Sequence, residues 1–410
     1  MQRRRREERN MLYELRELAE AAGYRVVGEI EQVRAPDSSY NIGIGKVREI
    51  ARIIKDKGVN KVIFFNELKP VQAYKLRKEW GIDVIDRYEL ILEIFAKRAG
   101  SREAKLQIEL AKLKRDLSMT KEWINLAKRG ELPGFMGGGR YAFDAFYRHV
   151  TSRISKIEEE LKKIRTWKNY RFVRRRRSGL YSISLTGYTG AGKTTLFNSL
   201  TGLNGYVDGK PFATLSTKSK RVKIHGIPML ISDTIGFIDS LPQPLMDAFY
   251  TTLGELSYSD IILLVVDISE EENEVRRKLE TSLDTLSQLG ITLESIILVA
   301  NKIDNVPGDL NRKLELVREY SRNVVPLSAL KGLGLEELKN NIVARLPKLS
   351  EALVTIRKDE KNLVRTLEEN CHVCEIRDAN GYLTLKVRGR RELLETFRGR
   401  VGKENIVLLS

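Results

Sequence analysis

Cysteine and histidine are nearly missing from this chain, and acid is missing from one long stretch of it. Only Cys371 and Cys374 occur among 410 residues, which excludes a disulfide-stapled scaffold. His149, His225 and His372 complete the histidine inventory. The C-x-x-C of Asn370-Cys371-His372-Val373-Cys374-Glu375 is therefore short of donors for a four-ligand zinc site, and two reduced thiols in a strand are expected. No apolar run approaches the ~20 residues of a membrane span. The N-terminal Met1-Gln2-Arg3-Arg4-Arg5-Arg6-Glu7-Glu8 has no apolar signal core, so a cytoplasmic protein is expected. Residues 1–180 hold no paired-carboxylate or metal-ligand constellation, which argues against an RNA-processing enzyme in that half.

What is present is charge, unevenly placed. At 42% hydrophobic and 31% charged the composition is that of a globular chain, long enough for two to four domains at roughly 100–200 residues each. The formal net charge of +17 lies wholly within residues 1–180, and residues 181–410 sum to zero. A Lys/Arg/Glu-rich thermophile surface would scatter both signs everywhere. One-sided placement suggests instead a polyanionic partner for the N-terminal half, nucleic acid before membrane.

The periodicity predicts four parts, at residues 1–90, 91–178, 179–348 and 349–410. In the first, a helix over 13–22 precedes a strand at 25–30, a helix at 47–56, a strand at 61–65, a helix at 70–79 and a strand at 83–86. This order predicts a small parallel α/β sheet. Gly43-Ile44-Gly45-Lys46 lacks the first Gly and the Ser/Thr of a phosphate loop, and reads as a strand-to-helix turn. In the second part, Leu106, Leu110, Leu113 and Leu117, then Phe143, Tyr147, Val150, Ile154, Ile157, Leu161 and Ile164, form the seams of two long antiparallel helices. A Gly-rich tip at about 130–141 joins them, where Phe135, Arg140 and Tyr141 can stack on bases or pair with phosphates. The second helix runs into an acid-free stretch ending in Arg174, Arg175, Arg176 and Arg177, interleaved with aromatics and suited to RNA backbone contact.

The third part carries the chemistry. Tyr181 to Thr186 alternates like a strand, and Gly187-Tyr188-Thr189-Gly190-Ala191-Gly192-Lys193-Thr194 follows it, opening a helix that begins near Thr195. Strand, Gly-rich loop and helix are the context that G-x-x-x-x-G-K-[ST] requires for cradling phosphates. Lys193 is expected at the β/γ-phosphates and the Thr194 hydroxyl on Mg²⁺. A hairpin turning at His225-Gly226-Ile227-Pro228 delivers Asp233-Thr234-Ile235-Gly236-Phe237. There Asp233 can hold the water shell of the Mg²⁺, and the Gly236 N–H can approach the γ-phosphate. The apolar run 261–266 reads as a strand buried on both faces. A second run ends in Asn301-Lys302-Ile303-Asp304, the N-K-x-D that selects guanine: the Asp304 carboxylate accepts from N1–H and the exocyclic amine, and Lys302 lies along the ring. Ser328-Ala329-Leu330 supplies the turn at the guanine oxygen. A Gln that orients the attacking water commonly follows the Gly of D-x-x-G; here Phe237 stands, and slow intrinsic hydrolysis is expected.

These residues resemble the HflX family of ribosome-associated GTPases, within the Obg–HflX group. The resemblance covers about residues 10–350. It is carried by Asn66-Glu67-Leu68-Lys69-Pro70-Val71-Gln72, by Ile85-Asp86-Arg87, by 94–99 and 102–111, by Phe212-Ala213-Thr214-Leu215 and by Asp233 to Phe237. It implies that Phe212 and Thr214 belong to switch I, with Thr214 closing on Mg²⁺ and the γ-phosphate. Lys193, Thr214, Gly236 and the Phe237 position then form the catalytic set. It also implies binding to the large ribosomal subunit and its rRNA and splitting of stalled ribosomes. A monomer exchanging GTP and GDP is expected. The chain departs from the family pattern at Gly137 to Asp144, which lacks a Glu and a Gln, and at Ser216-Thr217-Lys218. The alternative is a GTP-gated binding module for another RNA or a membrane-associated partner, with hydrolysis only resetting it.

Overall fold

The computed structural model describes residues 2–128, 139–203, 218–234, 236–237, 254, 256–379, 381–402 and 405–409. They fall into two compact units, one reaching Lys163 and one running from Ile164.

The first unit opens with α1 (Gln2–Ala21) and α2 (Ile44–Lys57). Leu15, Leu18, Ala19 and Ala22 are buried at the i, i+3, i+4, i+7 spacing of a single helix stripe. β1 (Lys61–Phe64), α3 (Pro70–Trp80) and β2 (Asp83–Asp86) follow as a β-α-β unit, with β1 and β2 parallel from Lys61↔Asp83 to Phe64↔Asp86. Pro70 suits the first turn of α3 because its missing N–H has no intrahelical partner there. Gly81, at φ 67°, ends that helix in the left-handed conformation.

The expected strand at 25–30 is a correction. Residues 24–33 join no ladder, and Val27 and Ile30 are exposed. An alternating pattern makes a strand only when one of its faces is buried. Here the Lys57 ammonium, 3.2 Å away, takes the Val27 carbonyl that a partner strand would have used. The sheet of the first unit thus has two strands among the described residues. Gly43 is likewise the N-cap of α2, and Ile44-Gly45-Lys46 forms that helix's first turn.

α4 (Arg87–Arg98), α5 (Arg102–Lys128) and α6 (Gly139–Arg177) follow. Arg102 pairs with Glu160, Glu109 with Arg153, and Lys121 with the Tyr147 ring. One number rises as the other falls, so α5 and α6 run antiparallel, as expected. Because α6 begins at Gly139, Arg140 and Tyr141 have helical backbone instead of belonging to the loop; neither residue breaks a helix. Residues 129–138, including Phe135, lie outside the described residues. Buried Asp86 fixes α5 to the sheet. Its carboxylate accepts from the Leu68 and Glu89 amides and, at 3.1 and 2.6 Å, from both Nη atoms of Arg115.

The second unit is built on a six-stranded sheet. β3 (Tyr181–Gly187), β4 (Lys218–Ile224), β5 (Ile227–Asp233), β6 (Ile261–Asp267), β7 (Ile296–Asn301) and β8 (Val324–Pro326) lie in the order β4-β5-β3-β6-β7-β8. All are parallel except β4, which pairs antiparallel with β5 at the edge. α7 (Lys193–Thr201) and α10 (Leu335–Ala344) pack in the core on one side. α8 (Glu272–Gln288) and α9 (Leu310–Arg318) contribute buried Val275, Leu279, Leu314 and Val317. With both faces covered, all seven residues of β6 are buried. The β4–β5 turn is only His225-Gly226, at φ 45° and 78°. Two residues of positive φ match the twist of the strands, so Ile227 and Pro228 belong to β5 and not to the turn.

The C-terminal part runs β9 (Leu349–Arg357), α11 (Lys361–Asn370), β10 (His372–Ala379), β11 (Tyr382–Arg390), α12 (Arg391–Val401) and β12 (Ile406–Leu408). Its antiparallel sheet has the order β10-β11-β9-β12, a split β-α-β arrangement. Both cysteines are free, yet only Cys374 lies in a strand. Cys371 caps α11 and is buried, which pushes its thiol up to about 12.

This part is locked to the nucleotide-domain sheet. Fully buried Arg390 lies over the Tyr181 ring at 4.3 Å and forms an ion pair with Asp260, whose carboxylate also accepts from the Ser182 amide. Arg221 and Lys223 of β4 donate to the carbonyls of Glu369 and Glu368 at the end of α11, where the helix dipole favours cations. A Cβ on Gly226 would overlap the His372 ring. Breaking one half of a buried ion pair leaves an uncompensated charge. Arg390→Ala is expected to lower stability by about 3–5 kcal/mol in urea unfolding. Asp260→Ala combined with Arg390→Met is expected to recover most of that loss; a single variant as stable as the parent would contradict the lock.

Candidate nucleotide site

The site forms at the C-terminal ends of β3, β5, β6 and β7, where crevices of open parallel sheets bind ligands. β3 ends at Gly187, residues 188–192 turn, and α7 starts at Lys193. Two of the loop's glycines are required by close approach as well as by conformation. A Cβ on Gly187 would strike the Val265 carbonyl, and one on Gly192, at φ 93°, would strike the Asn301 amide. The exposed apex, Gly190, is glycine for its φ of 81° alone.

Lys193 is buried, and its Nζ donates to the carbonyls of Gly187 at 3.0 Å and Tyr188 at 2.6 Å. Burial pushes the ammonium down to about 8, against the opposing pull of Asp233. A cation held in a low-dielectric loop is prepared to bind a polyanion. The Thr194 hydroxyl donates to Asp233 Oδ2 at 2.9 Å. This hydroxyl and a fully buried carboxylate make a pair of hard oxygen donors that fits Mg²⁺, which takes one or two protein oxygens and fills its octahedron with water and substrate phosphate. Among the described residues no three His, Cys, Asp or Glu form a cage that would hold a metal by themselves.

The segment after β5 lies against the loop. The Thr234 hydroxyl donates to the Leu185 carbonyl at 2.7 Å. A Cβ on Gly236 would come within 2.6 Å of Lys193 Nζ. Phe237 bonds the loop through its backbone in both directions, its N–H to the Gly187 carbonyl and its carbonyl to the Thr189 N–H, each at 2.9 Å. Its ring is 2% exposed and packs on Tyr188 at 6.3 Å between centroids.

Asn301 joins the two ends of the site. Its side-chain amide donates to the Ala191 carbonyl at 2.7 Å, and its side-chain oxygen accepts from the Ala329 amide at 3.0 Å. Lys302 sits in the left-handed conformation at φ 66°, with Nζ 2.5 Å from Asp267 Oδ2. The Ser328 hydroxyl, then backbone N–H and Lys331, hold the Asp304 carboxyl below the usual carboxylate range. A charged, hydrogen-bond-accepting carboxylate is what the two donors on guanine's edge require. Ser199 of α7 donates to the Ala329 carbonyl at 2.8 Å, tying the same turn to the loop's helix.

Residues 187 to 195, 233, 234, 236, 237, 301, 302, 304, 328 and 329 are thus brought around one crevice. Leu330 is beside it but 79% exposed, with its side chain in solvent. Phe212 and Thr214 lie outside the described residues, as do the side chains of Arg140 and Tyr141. Arg174, Arg176 and Arg177 are exposed in the last turns of α6, and Arg175 is half-buried. Sequence reasoning gave Asp267 no role. Its signal was present, an acid at the C-terminal end of a central strand and in register with Asn301.

Comparison with known proteins agrees with this geometry. The family described as "GTP-binding GTPase N-terminal" matches residues 9–96, "GTP-binding GTPase Middle Region" matches 98–177, and "50S ribosome-binding GTPase" matches 182–302. The GTPase HflX of Thermofilum pendens is 55% identical over 396 residues, 96% of this chain and 93% of its own length. The GTPase HflX of Thermococcus kodakarensis is 40% identical over 87% of this chain and 83% of its own. Among solved structures, a GTP-binding protein from Sulfolobus solfataricus in complex with GDP is 34% identical, with a TM-score of 0.50, covering 82% of this chain and 94% of that one.

Two substitutions test the crevice. Lys193→Ala removes a charge-assisted contact to phosphate, and the affinity for a fluorescent GDP analogue is expected to fall about 100-fold. An unchanged affinity would place the phosphates elsewhere. Asp304→Asn is expected to weaken guanine nucleotide on the order of 10⁴-fold, because a site built on paired hydrogen bonds is left with a mismatched group. In competition it should turn the preference toward xanthine nucleotide; a site that still prefers guanine is not read by Asp304.

Proposed function

The chain belongs to the HflX family of GTPases, and from that premise we propose that its GTP form docks on the large ribosomal subunit through rRNA. Splitting of stalled ribosomes is the downstream activity we infer. The observation that carries the proposal is a short covalent path. The basic end of α6 at Arg177 is followed after three residues by β3, and β3 ends in the phosphate loop. Phe172 of α6 packs on Tyr258 at 5.0 Å, just before β6. A change at the loop is thereby felt at the base of a basic helix.

In this reading Lys193 and the amides of residues 188–194 bind the phosphates, while Asn301, Lys302, Asp304 and the Ser328-Ala329 turn bind guanine. Thr194 and Asp233, with Thr214, would hold Mg²⁺, which when bound supplies charge neutralisation on the β- and γ-phosphates. Gly236 admits its backbone N–H to the γ-phosphate, since any Cβ there meets Lys193 and Thr189. A phenyl ring cannot accept a proton from water or orient it. Phe237 therefore leaves the attacking water unassisted, and hydrolysis waits on a group from the partner. That makes the GTP form long-lived until it docks, which suits a switch.

The reading favours RNA over a membrane-associated partner because the basic half is rich in arginine, whose planar fork suits phosphate recognition. Sedimentation with purified large subunits is expected to carry down more protein with a non-hydrolysable GTP analogue than with GDP. Binding through many phosphates should weaken steeply between ~50 and 200 mM salt. Single-turnover hydrolysis should be slow alone and faster with large subunits. Equal sedimentation under all nucleotides, or with an unrelated RNA, would overturn the proposal.

A further inference from the structure

The last turns of α6 carry two exposed aromatic rings that no core explains. The rotation of the helix is set by Phe172 against Tyr258, and Ile164, Lys168 and Arg175 lie on the same partly buried side. Trp167, Tyr170, Arg174 and Arg177 recur at i, i+3, i+7 and i+10, so they share the opposite, outward stripe. Trp167 is 67% and Tyr170 61% exposed, with ring centroids 6.2 Å apart and planes at 86°. Over residues 162–177 there are nine Lys and Arg and no acid. Among the described residues neither Arg174 nor Arg177 pairs with a carboxylate. Two large rings held in water beside unpaired cations form a stacking platform with an electrostatic track, the combination that binds single-stranded nucleic acid. The alternative occupant, an anionic lipid surface, needs a broad apolar face to bury. Val173 is the only aliphatic residue exposed on these turns; the rest of the outward surface is Lys, Arg, Asn and Thr.

We propose that this stripe binds unpaired RNA bases, with Trp167 and Tyr170 as stacking surfaces and Arg174 and Arg177 neutralising the flanking phosphates. The inference rests on the RNA-docking reading above and adds to it that the bound RNA is single-stranded, a loop or bulge in place of a paired stem. From Trp167 to Arg177 the helix rises about 15 Å, the reach of a few nucleotides.

The test uses the full chain with a short oligoribonucleotide of unstructured sequence and the same sequence as a perfect duplex. The parent is expected to bind the single strand more tightly, with quenching of tryptophan fluorescence. Trp167→Ala with Tyr170→Ala is expected to weaken single-strand binding about tenfold or more, with an unchanged slope of log K against log salt and an unchanged duplex affinity. Arg174→Gln with Arg177→Gln is expected to reduce that slope by about 1.4, roughly 0.7 for each single-strand phosphate that is no longer neutralised. All four side chains are at the surface and away from the crevice, so both variants should keep the parent's GDP affinity, which controls for folding. The inference is overturned if the aromatic variant binds the single strand like the parent, or loses duplex binding equally. It is also overturned if phosphatidylserine vesicles bind the parent and compete the RNA away. Those results leave subunit sedimentation by the parent intact, so failure of this inference and failure of the docking proposal are separately visible.

Discussion

The Asn301 side chain bridges the Ala191 carbonyl and the Ala329 amide, and the nucleotide crevice has its shape because of that bridge. It holds the phosphate end and the base end at one separation, although the residues it joins are far apart in sequence. It also dictates its neighbours: Gly192 must be glycine because the Asn301 amide occupies the space of a Cβ. Register does the rest. Asp267 sits opposite Asn301 in the β6–β7 ladder, where it receives the Lys302 ammonium. The two ends of the crevice therefore rest on one fully covered strand pair.

Much of this was legible in the sequence for a physical reason. The phosphate loop, the end of β5 and the N-K-x-D segment each obey local rules: a short turn at a strand's end, with its chemistry within a few residues. The two hairpin helices were legible through period alone. What escaped depended on contacts between distant segments. The 25–30 stretch has strand-like residues, but only a partner would have made it a strand. Phe237 could be read as a missing Gln, whereas its two backbone bonds to Gly187 and Thr189 have no sequence signature. Cys371 and Cys374 look equivalent in the chain and differ because one caps a helix inside a core and the other sits on an exposed strand.

Each compact unit uses a buried arginine–aspartate pair where one element is fastened to another. In the first, Arg115 of α5 grips Asp86 at the end of β2; in the second, Arg390 of β11 reaches Asp260 before β6. Such pairs contribute less to stability than apolar contacts of the same size, since both ions are desolvated. They do specify geometry. The fork of Arg115, with both Nη atoms on the Asp86 carboxylate, accepts one orientation of that carboxylate, and Asp86 and Asp260 are each also held by backbone N–H groups. α5 is thereby given one angle against β2.

The β4–β5 turn has an evolutionary consequence. Gly226 needs its positive φ and also the space its missing side chain leaves to the His372 ring. Relaxing the turn by introducing asparagine, which tolerates that φ, would still evict the imidazole. Positions 226 and 372, separated by much of the chain, therefore cannot drift independently. Among relatives that keep this C-terminal part, a side chain at 226 should be accompanied by a residue smaller than histidine at 372, a one-way dependence that links two domains through a single missing carbon.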